Sequence, residues 1–572
     1  MSDTVPTKSR DATTDSFVGH ARLIGLLTLV SRVTGLAREV VAGHFLGTGL
    51  VASAFTVAFT IPNLFRKLLG EGALAQAFIP LYAQARKRGS TETGETPERF
   101  AAASVKLLVI VLVLLTLVGE AILIALIAAL DNTARPDRLL MLQFAAVMLP
   151  YVLLVCGGAF LSAILQVHKR FGPPAFAPVL LNIIHISVVV GAAYFLGLSG
   201  KDVASDDLLR HQTQLAFCLA VGVLVAGVLQ VMVLMPALRA IGFRIRFDLP
   251  AWTPDTRRML QLSIPVALGA AVLQTSVMLD KGISFALMQG VDQTGAAVTH
   301  FTLFGTVLAY PLEDGAVRRL DLAQLMYQFP LGIFAIALAT AIFPSLSAGA
   351  VDADRVAFKR ITRQGVRATL WEGLPASVGL ILVADSAVRL LFQHGHTTAH
   401  DAALIAQSTR WYAAGVWAYA MLHVINRAFY ALHDTRTPLI ASVVNIIINM
   451  AIELPLLWVM GESGMAVGTL VSFAIQAVVM LWLLNRRVGG LGLGMLAWPV
   501  LKMIIATGLM TGVCFAVQAS PVYAQGDGQF VWAQRLVVVT LVGAGVYLIT
   551  TRLLNAGMRE KPPVQVDKIA VN

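Results

Sequence analysis

The chain has 572 residues, of which 57% are hydrophobic and only 13% charged, against about 25% charged in a soluble chain. So much apolar surface excludes a secreted disulfide scaffold, a disordered chain and a nucleic-acid-binding domain, and makes lipid the main solvent. The net charge of +11 therefore reads as basic cytoplasmic loops. Cys156, Cys218 and Cys514 stand far apart in apolar runs and read as small apolar filler.

A bilayer core needs ~20 apolar residues per helix. In chain order the sequence offers fourteen such stretches: 20–45, 50–80, 107–130, 139–166, 175–198, 212–237, 259–288, 322–346, 368–392, 404–431, 438–460, 465–485, 495–518 and 531–551. The polar start (MSDTVPTKSRDATTDSF) reads as a tail, not a signal peptide, and 20–45 as the first span. With the N-terminus inside, the inward loops hold 27 Lys and Arg, and the outward loops hold six: Arg135, Arg138, Lys201, Arg210, Arg318 and Arg319. That asymmetry predicts an even helix count with both termini cytoplasmic.

The stretches repeat. Ala73–Pro80 (ALAQAFIP) recurs as Ala337–Pro344 (ALATAIFP), and the turn at His168–Pro174 with Asn182 recurs at His433–Pro438 with Asn445. The unit is six helices, an even number, so the copies share one orientation. The expected architecture is all-α and polytopic, with two parallel six-helix lobes around a central cavity. The lobes are 20–238 and 239–485, followed by an extra helix pair at 486–554. The tails are 1–19 and 555–572.

No nucleotide-binding or zincin motif is present; Gly200–Lys201 is followed by Asp202. His394, His396 and His400 share one loop without a Cys or carboxylate set to complete a metal site, apart from Asp401. The informative residues are charges inside apolar helices, each costing at least ~2.5–3.5 kcal/mol at mid-bilayer unless it faces a cavity or partner. The first helix carries Arg32, Arg38 and Glu39; the second carries Asn63, Arg66, Lys67 and Glu71. At 1.5 Å per residue, Arg32, Arg38 and Arg66 lie roughly 18, 27 and 23 Å from the inner ends of their helices, so the three can share one level. Arginine suits bidentate phosphate binding and keeps its charge in poorly solvated sites. Internal pairing, Lys67 with Glu71 and Glu39 with one arginine, still leaves a cation beside Asn63, which favours an anion-receiving cavity. Asp280 reads either as a cation or proton site or as a charge offset for Lys281.

The segments Ser31–Glu39 (SRVTGLARE) and Pro62–Pro80 (PNLFRKLLGEGALAQAFIP) resemble the MurJ (MviN) family of bacterial lipid II flippases. Tyr327–Pro344 and Arg427–Pro438 fit the same family, and the resemblance covers about residues 20–555. It implies the MOP exporter fold, a lipid-tail groove in the final helix pair, and alternating access. The transported lipid II is the undecaprenyl-pyrophosphate disaccharide-pentapeptide, moved across the inner membrane toward the periplasm. No enzymatic step is implied. Arg32, Arg38 and Arg66 match the family's cavity arginines, Glu39 and Glu71 its acidic positions, and Asp280 an aspartate that helps bind sodium in some members. Coupling to Na+ or membrane potential is the expected driving force. Lipid II, membrane lipids and cell-wall synthesis proteins are the expected partners, with no nucleic acid. The chain departs from the family at Leu325, where an arginine is usual, at Gln324 and at Ser53, and its loop is longer over 289–314. Lys281 or the Arg318/Arg319 pair are the candidate substitutes for the missing second-lobe cation. The rival reading is a MOP exporter of another lipid-linked oligosaccharide or of drugs. An arginine-rich cleft disfavours drugs, and a cell-wall scaffold that transports nothing needs no such arginines.

Overall fold

The computed structural model describes residues 8–557 apart from 131–134, 198–204, 247, 249, 293–294, 334, 352–354, 521–522 and 524. The side chains of 8–24, Glu71, Ala73, 205–206, Leu273, Ile333 and Ile336 also lie outside the description. Residues 1–7 and 558–572 of the two expected tails fall outside it as well.

The chain forms two compact units, Met1–Arg318 with His394–Thr398, and Arg319–Gln393 with Ala399–Asn572. The first is built from α1 (Lys8–Leu46), α2 (Leu50–Phe65), a π-helical segment (Arg66–Ala73), α3 (Leu74–Arg88), α4 (Pro97–Leu130), α5 (Pro136–Met148), α6 (Tyr151–Val167), α7 (Gly172–Phe195), α8 (Ser205–Ala240) and α9 (Pro254–Ala286). The second follows α10 (Ala316–Ile333) with α11 (Ala335–Gly349), α12 (Val356–Phe392), α13 (Ala399–Ala414), α14 (Val416–Ala431), α15 (Arg436–Met460), α16 (Glu462–Arg487), α17 (Gly494–Gln518) and α18 (Gln529–Leu553). The element order α2–α7 recurs as α10–α15, including the breaks inside the spans. The packing boundary differs from the repeat boundary. Helix α9, which the repeat places in 239–485, packs against the π-helical segment, α2, α3 and α4 in the first unit.

Nine helices among the described residues are long and apolar enough to cross a membrane, and two bent pairs, α5–α6 and α10–α11, raise the number to eleven. The other three expected spans are visible as α1, α2–α3 and α13–α14. Arg32, Arg38 and Glu39 interrupt the apolar run of α1, and Arg66, Lys67 and Glu71 that of α2–α3. Helices α13 and α14 have only 16 residues each. Helix α1 also begins well before residue 20, so part of the expected N-terminal tail is helical.

Lipid-facing surface is apolar on these helices. Leu114, Leu117, Ile122 and Ile124 of α4 and Val478 and Trp482 of α16 are exposed, as expected where the surrounding medium is hydrocarbon. Interior close packing relies on small residues. A Cβ on Gly70 would stand 3.0 Å from Ala159 Cβ and 3.1 Å from Cys156 Cα, so Gly70 sets the approach of the π-helical segment to α6. Gly72 adopts φ −90°, ψ −114°, and a Cβ there would collide with the Lys67 carbonyl oxygen; it marks the kink. Gly35 has looser surroundings, with Asn182 Nδ2 3.5 Å from an added Cβ. Cys156 and Cys514 are buried, whereas Cys218 is exposed on α8, so the filler role fits the first two only.

The long 287–315 connection is not a loose loop. It folds into two hairpins, β1 (Gly290–Val291) with β2 (Ala297–Val298) and β3 (His300–Leu303) with β4 (Thr306–Ala309). Its base is tied to the start of α5. Arg135 Nη1 donates to Tyr310 Oη at 2.6 Å while its Nη2 pairs with buried Asp137 at 2.6 Å. The equivalent connection between α1 and α2 spans only Gly47–Gly49, so the extra chain is an insertion specific to the second copy.

Candidate functional site

Helix α1 packs along α7, and one asparagine joins them. Asn182 Nδ2 donates to Ser31 O and to Thr34 Oγ1, both at 3.1 Å. Its Oδ1 accepts from Arg38 Nη1 at 3.1 Å. Arg38 Nε also donates to Glu39 Oε1 at 3.0 Å. The other oxygen of Glu39 takes Arg318 Nη1 at 2.8 Å. The Arg318 backbone N–H meets Ser53 Oγ at 3.4 Å. The neighbouring His185 is buried, its ring edge-on to Phe55 and Phe59 at 6.1 and 6.4 Å. One carboxylate is thus shared by two guanidiniums, a charge-assisted arrangement.

Arg32, six residues back on α1, is half-buried and has no hydrogen-bond or ion-pair partner among the described residues. Asn63 is half-buried, with its Nδ2 donating to Phe59 O at 3.1 Å inside its own helix. Arg66 opens the π-helical segment and lines a cavity of about 260 Å³ with Gln76, Ser162, Gln166 and Gln230. The sequence argument joined Arg32, Arg38 and Arg66 at one level. The structure sets the first two on α1 against α7 and the third on a segment packed against α6 and α9. The Glu71 side chain lies outside the described residues.

Asp280 and Lys281 are half-buried on α9. Ser284 Oγ donates to the Asp280 carbonyl at 2.5 Å. Arg319 has another partner set. Its Nη1 meets Asp401 at 2.9 Å, its Nε meets Glu462 at 2.8 Å, and only 3% of its surface is exposed. Expected as one of the substitute cations, Arg319 is instead a buried clamp on α13 and α16. Turning it toward a phosphate would strand two carboxylates. Of the proposed substitutes, Arg318 is the one that pairs with another candidate residue, Glu39. Among the described residues, no group of three His, Cys, Asp or Glu side chains is placed to hold a metal. His44 and His394 Nδ1 atoms meet at 3.2 Å.

The lipid II flippase MurJ family model matches residues 42–527. The chain belongs to the MurJ family. A relative from Rhizobium tropici described as "Probable lipid II flippase MurJ" is 28% identical over 572 aligned positions, covering 96% of this chain and 98% of the relative. Among solved structures, a lipid II flippase MurJ in an inward closed conformation superposes with TM-score 0.70 at 20% identity, covering 93% of this chain and 98% of that one. An inward-facing MATE family multidrug transporter of the MOP superfamily gives TM-score 0.57 at 13% identity over 82% of this chain and 98% of the other. At those identities the superpositions show a shared polytopic helical fold.

Within the MurJ family frame, the departures seen in sequence have local explanations. Ser53 is fully buried and serves the backbone of Arg318. Gln324 Nε2 donates to Tyr412 Oη at 3.2 Å, and Leu325 is half-buried in α10. Sequence reasoning did not assign Asn182 a role in the site, although it occupies a matched position of the repeat; its second-copy counterpart, Asn445, is buried with no partner for its Oδ1 among the described residues. Sequence reasoning also missed the Arg319–Asp401–Glu462 clamp, whose members are separated by more than sixty positions.

Proposed function

We propose that this MurJ-family chain moves lipid II from the cytoplasmic to the outer leaflet of the bacterial inner membrane by alternating access of its two repeats, without an enzymatic step. Both termini then lie in the cytoplasm. The observation that carries the anion role is Arg32, a half-buried guanidinium inside an apolar span with no counter-charge among the described residues. Holding an arginine there is costly unless an anion repays it. A pyrophosphate supplies two charges and bidentate acceptors. Arg38, already oriented by Asn182 and Glu39, offers a second fork, and Arg66 a third at its cavity. Arg318, through Glu39, ties the start of α10 to this cluster and stands nearest the role of the missing arginine at Leu325. A drug substrate would not need such cationic groups, which disfavours the MATE-like alternative.

The test is lipid II exposure at the outer surface of cells depleted of their own flippase. Lys at Arg32, Arg38 or Arg66 should retain part of the transport, because charge persists while the fork is lost. Ala or Glu should reduce it by about tenfold or more per site, the loss expected for a charge-assisted contact of ~1.5–3 kcal/mol, with normal protein in the membrane. Wild-type transport by the triple Ala variant would overturn the reading.

Cation coupling through Asp280 belongs to the same proposal. Asp280→Asn should slow lipid II exposure and remove any response to external sodium. If Asp280 only offsets Lys281, the double variant Asp280→Ala with Lys281→Ala will outperform either single one, and the cycle separates the two roles. Association with cell-wall synthesis proteins would hand the flipped substrate directly to polymerisation; co-purification from cross-linked membranes tests it, and their absence from the eluate would count against it.

A further inference from the structure

Three histidines outside the arginine site meet at the C-terminal end of α1. His44 lies roughly 9 Å beyond Arg38 along the helix axis. His394 and His396 come from the connection between α12 and α13, whose His394–Thr398 segment belongs to the first unit. His44 Nδ1 and His394 Nδ1 stand 3.2 Å apart, and their ring centroids 5.2 Å apart. The backbones interlock around the two rings. His396 N–H donates to His44 O at 2.9 Å, and Thr397 Oγ1 donates to Gly43 O at 3.0 Å, so the connection caps carbonyls at the end of α1. Two glycines make the approach possible. A Cβ on Gly395 would stand 2.1 Å from His44 O, and one on Gly47 would stand 2.8 Å from His396 O.

A hydrogen bond between two Nδ1 atoms needs one proton and one lone pair. Two neutral imidazoles supply them, and so does one imidazolium facing one neutral ring. Two imidazoliums cannot, because both nitrogens then carry protons, no acceptor remains, and like charges face each other at 3.2 Å. The titratable groups that act on His44 are His394 and His396. His396 is half-buried, and burial pushes its imidazole below the ordinary histidine range. The other charged and titratable groups of the surrounding elements are engaged elsewhere. Asp314 stands at Gly49, 3.5 Å from an added Cβ, Asp401 pairs with Arg319, and Glu39 pairs with Arg38 and Arg318. On α7, His185 faces Phe55 and Phe59. A contact that rejects the second proton is intact above the ordinary imidazole range, about 6.5, and fails as pH falls below it.

We propose that His44 and His394 form a proton-sensitive clasp, which fastens the end of α1 to the α12–α13 connection at neutral pH and releases it when both rings are protonated. Helix α1 carries Arg32 and Arg38, so the clasp lets proton concentration act on the helix of the anion site. With the orientation set by the loop charges, the proton concentration sensed is the one outside the inner membrane. The clasp itself rests neither on that orientation nor on lipid II being the substrate.

The test is amide hydrogen exchange of the full chain in neutral detergent with EDTA. Mass spectrometry reads peptides covering 43–49 and 393–400, corrected for the intrinsic pH dependence of exchange. Between about pH 7.5 and about pH 5 the wild type should lose about tenfold of its protection in both peptides, which corresponds to one unit of difference in second-proton affinity between clasped and released forms. His394→Asn puts a non-titrating amide where Nδ1 stands and should keep the protection constant across that range. His394→Ala should show the acid value throughout. Equal wild-type protection at both pH values would overturn the proposal, and so would a loss that persists unchanged in His394→Asn. An equal loss in peptides from α6 would mean general acid unfolding and would also overturn it. Two imidazole nitrogens bound to one Zn2+ stand about 3.3 Å apart, so protection that appears only when Zn2+ replaces EDTA would make the pair a metal site and overturn the proton reading.

Discussion

Two adjacent arginines at the start of α10 show how one residue step changes a role. Arg318 reaches Glu39 beside Arg38, and Arg319, about 100° further round the helix, reaches Asp401 and Glu462. Arg319 and its carboxylates are buried, so removing the cation leaves two desolvated negative charges. Breaking a buried pair in this way costs about 3–5 kcal/mol. Arg319→Ala should therefore lower thermal stability and membrane abundance sharply, whereas Arg32→Ala should leave both near wild type and lose transport. Melting curves of the two purified variants check this; a stable Arg319→Ala protein would remove the clamp from the account.

At the scale of elements, the kink between α2 and α3 is what the charged motif needs. A continuous α-helix through Arg66–Ala73 would carry the motif at a 3.6-residue period; the π-helical segment widens the turn and re-aims it, as such segments do at functional sites. Gly72 permits the change, since any Cβ there meets the Lys67 carbonyl oxygen. Gly72→Ala should lose transport and destabilise the fold by about 1–3 kcal/mol, while Gly35→Ala, whose added methyl meets only ordinary contacts, should change stability little. Comparing denaturation midpoints of the two variants decides it, and equal midpoints would show that the kink does not depend on the missing side chain. The two hairpins between α9 and α10 act at this scale too. Anchored by Arg135 on Tyr310, they make an ordered insertion where the first copy needs three residues.

For the whole molecule, the repeat in element order and the loop charges carry different information. The repeat requires both copies to share an orientation, and the loop charges set which side faces the cytoplasm. In a background lacking Cys156, Cys218 and Cys514, a cysteine at Ser90 should be protected from an impermeant thiol reagent in intact cells. A cysteine at Thr306, exposed on β4, should react. Labelling in the opposite sense would invert the topology.

Much of this protein was legible in one dimension. Apolar length, the charge asymmetry of loops and the six-helix repeat are local or periodic properties, because lipid imposes helix length and orientation on each span separately. The same is true of the motif charges at Arg32, Arg38 and Arg66, which stand out because charge in an apolar run is expensive. Pairing was not legible. Which carboxylate Arg318 takes, why Arg319 is unavailable, and how Asn182 joins α1 to α7 depend on side chains brought to hydrogen-bond distance by packing between distant segments. The packing boundary beyond α9 and the kink at Gly72 are of the same kind. Each is a relation between surfaces that no spacing along the chain encodes, so only the tertiary structure decided them.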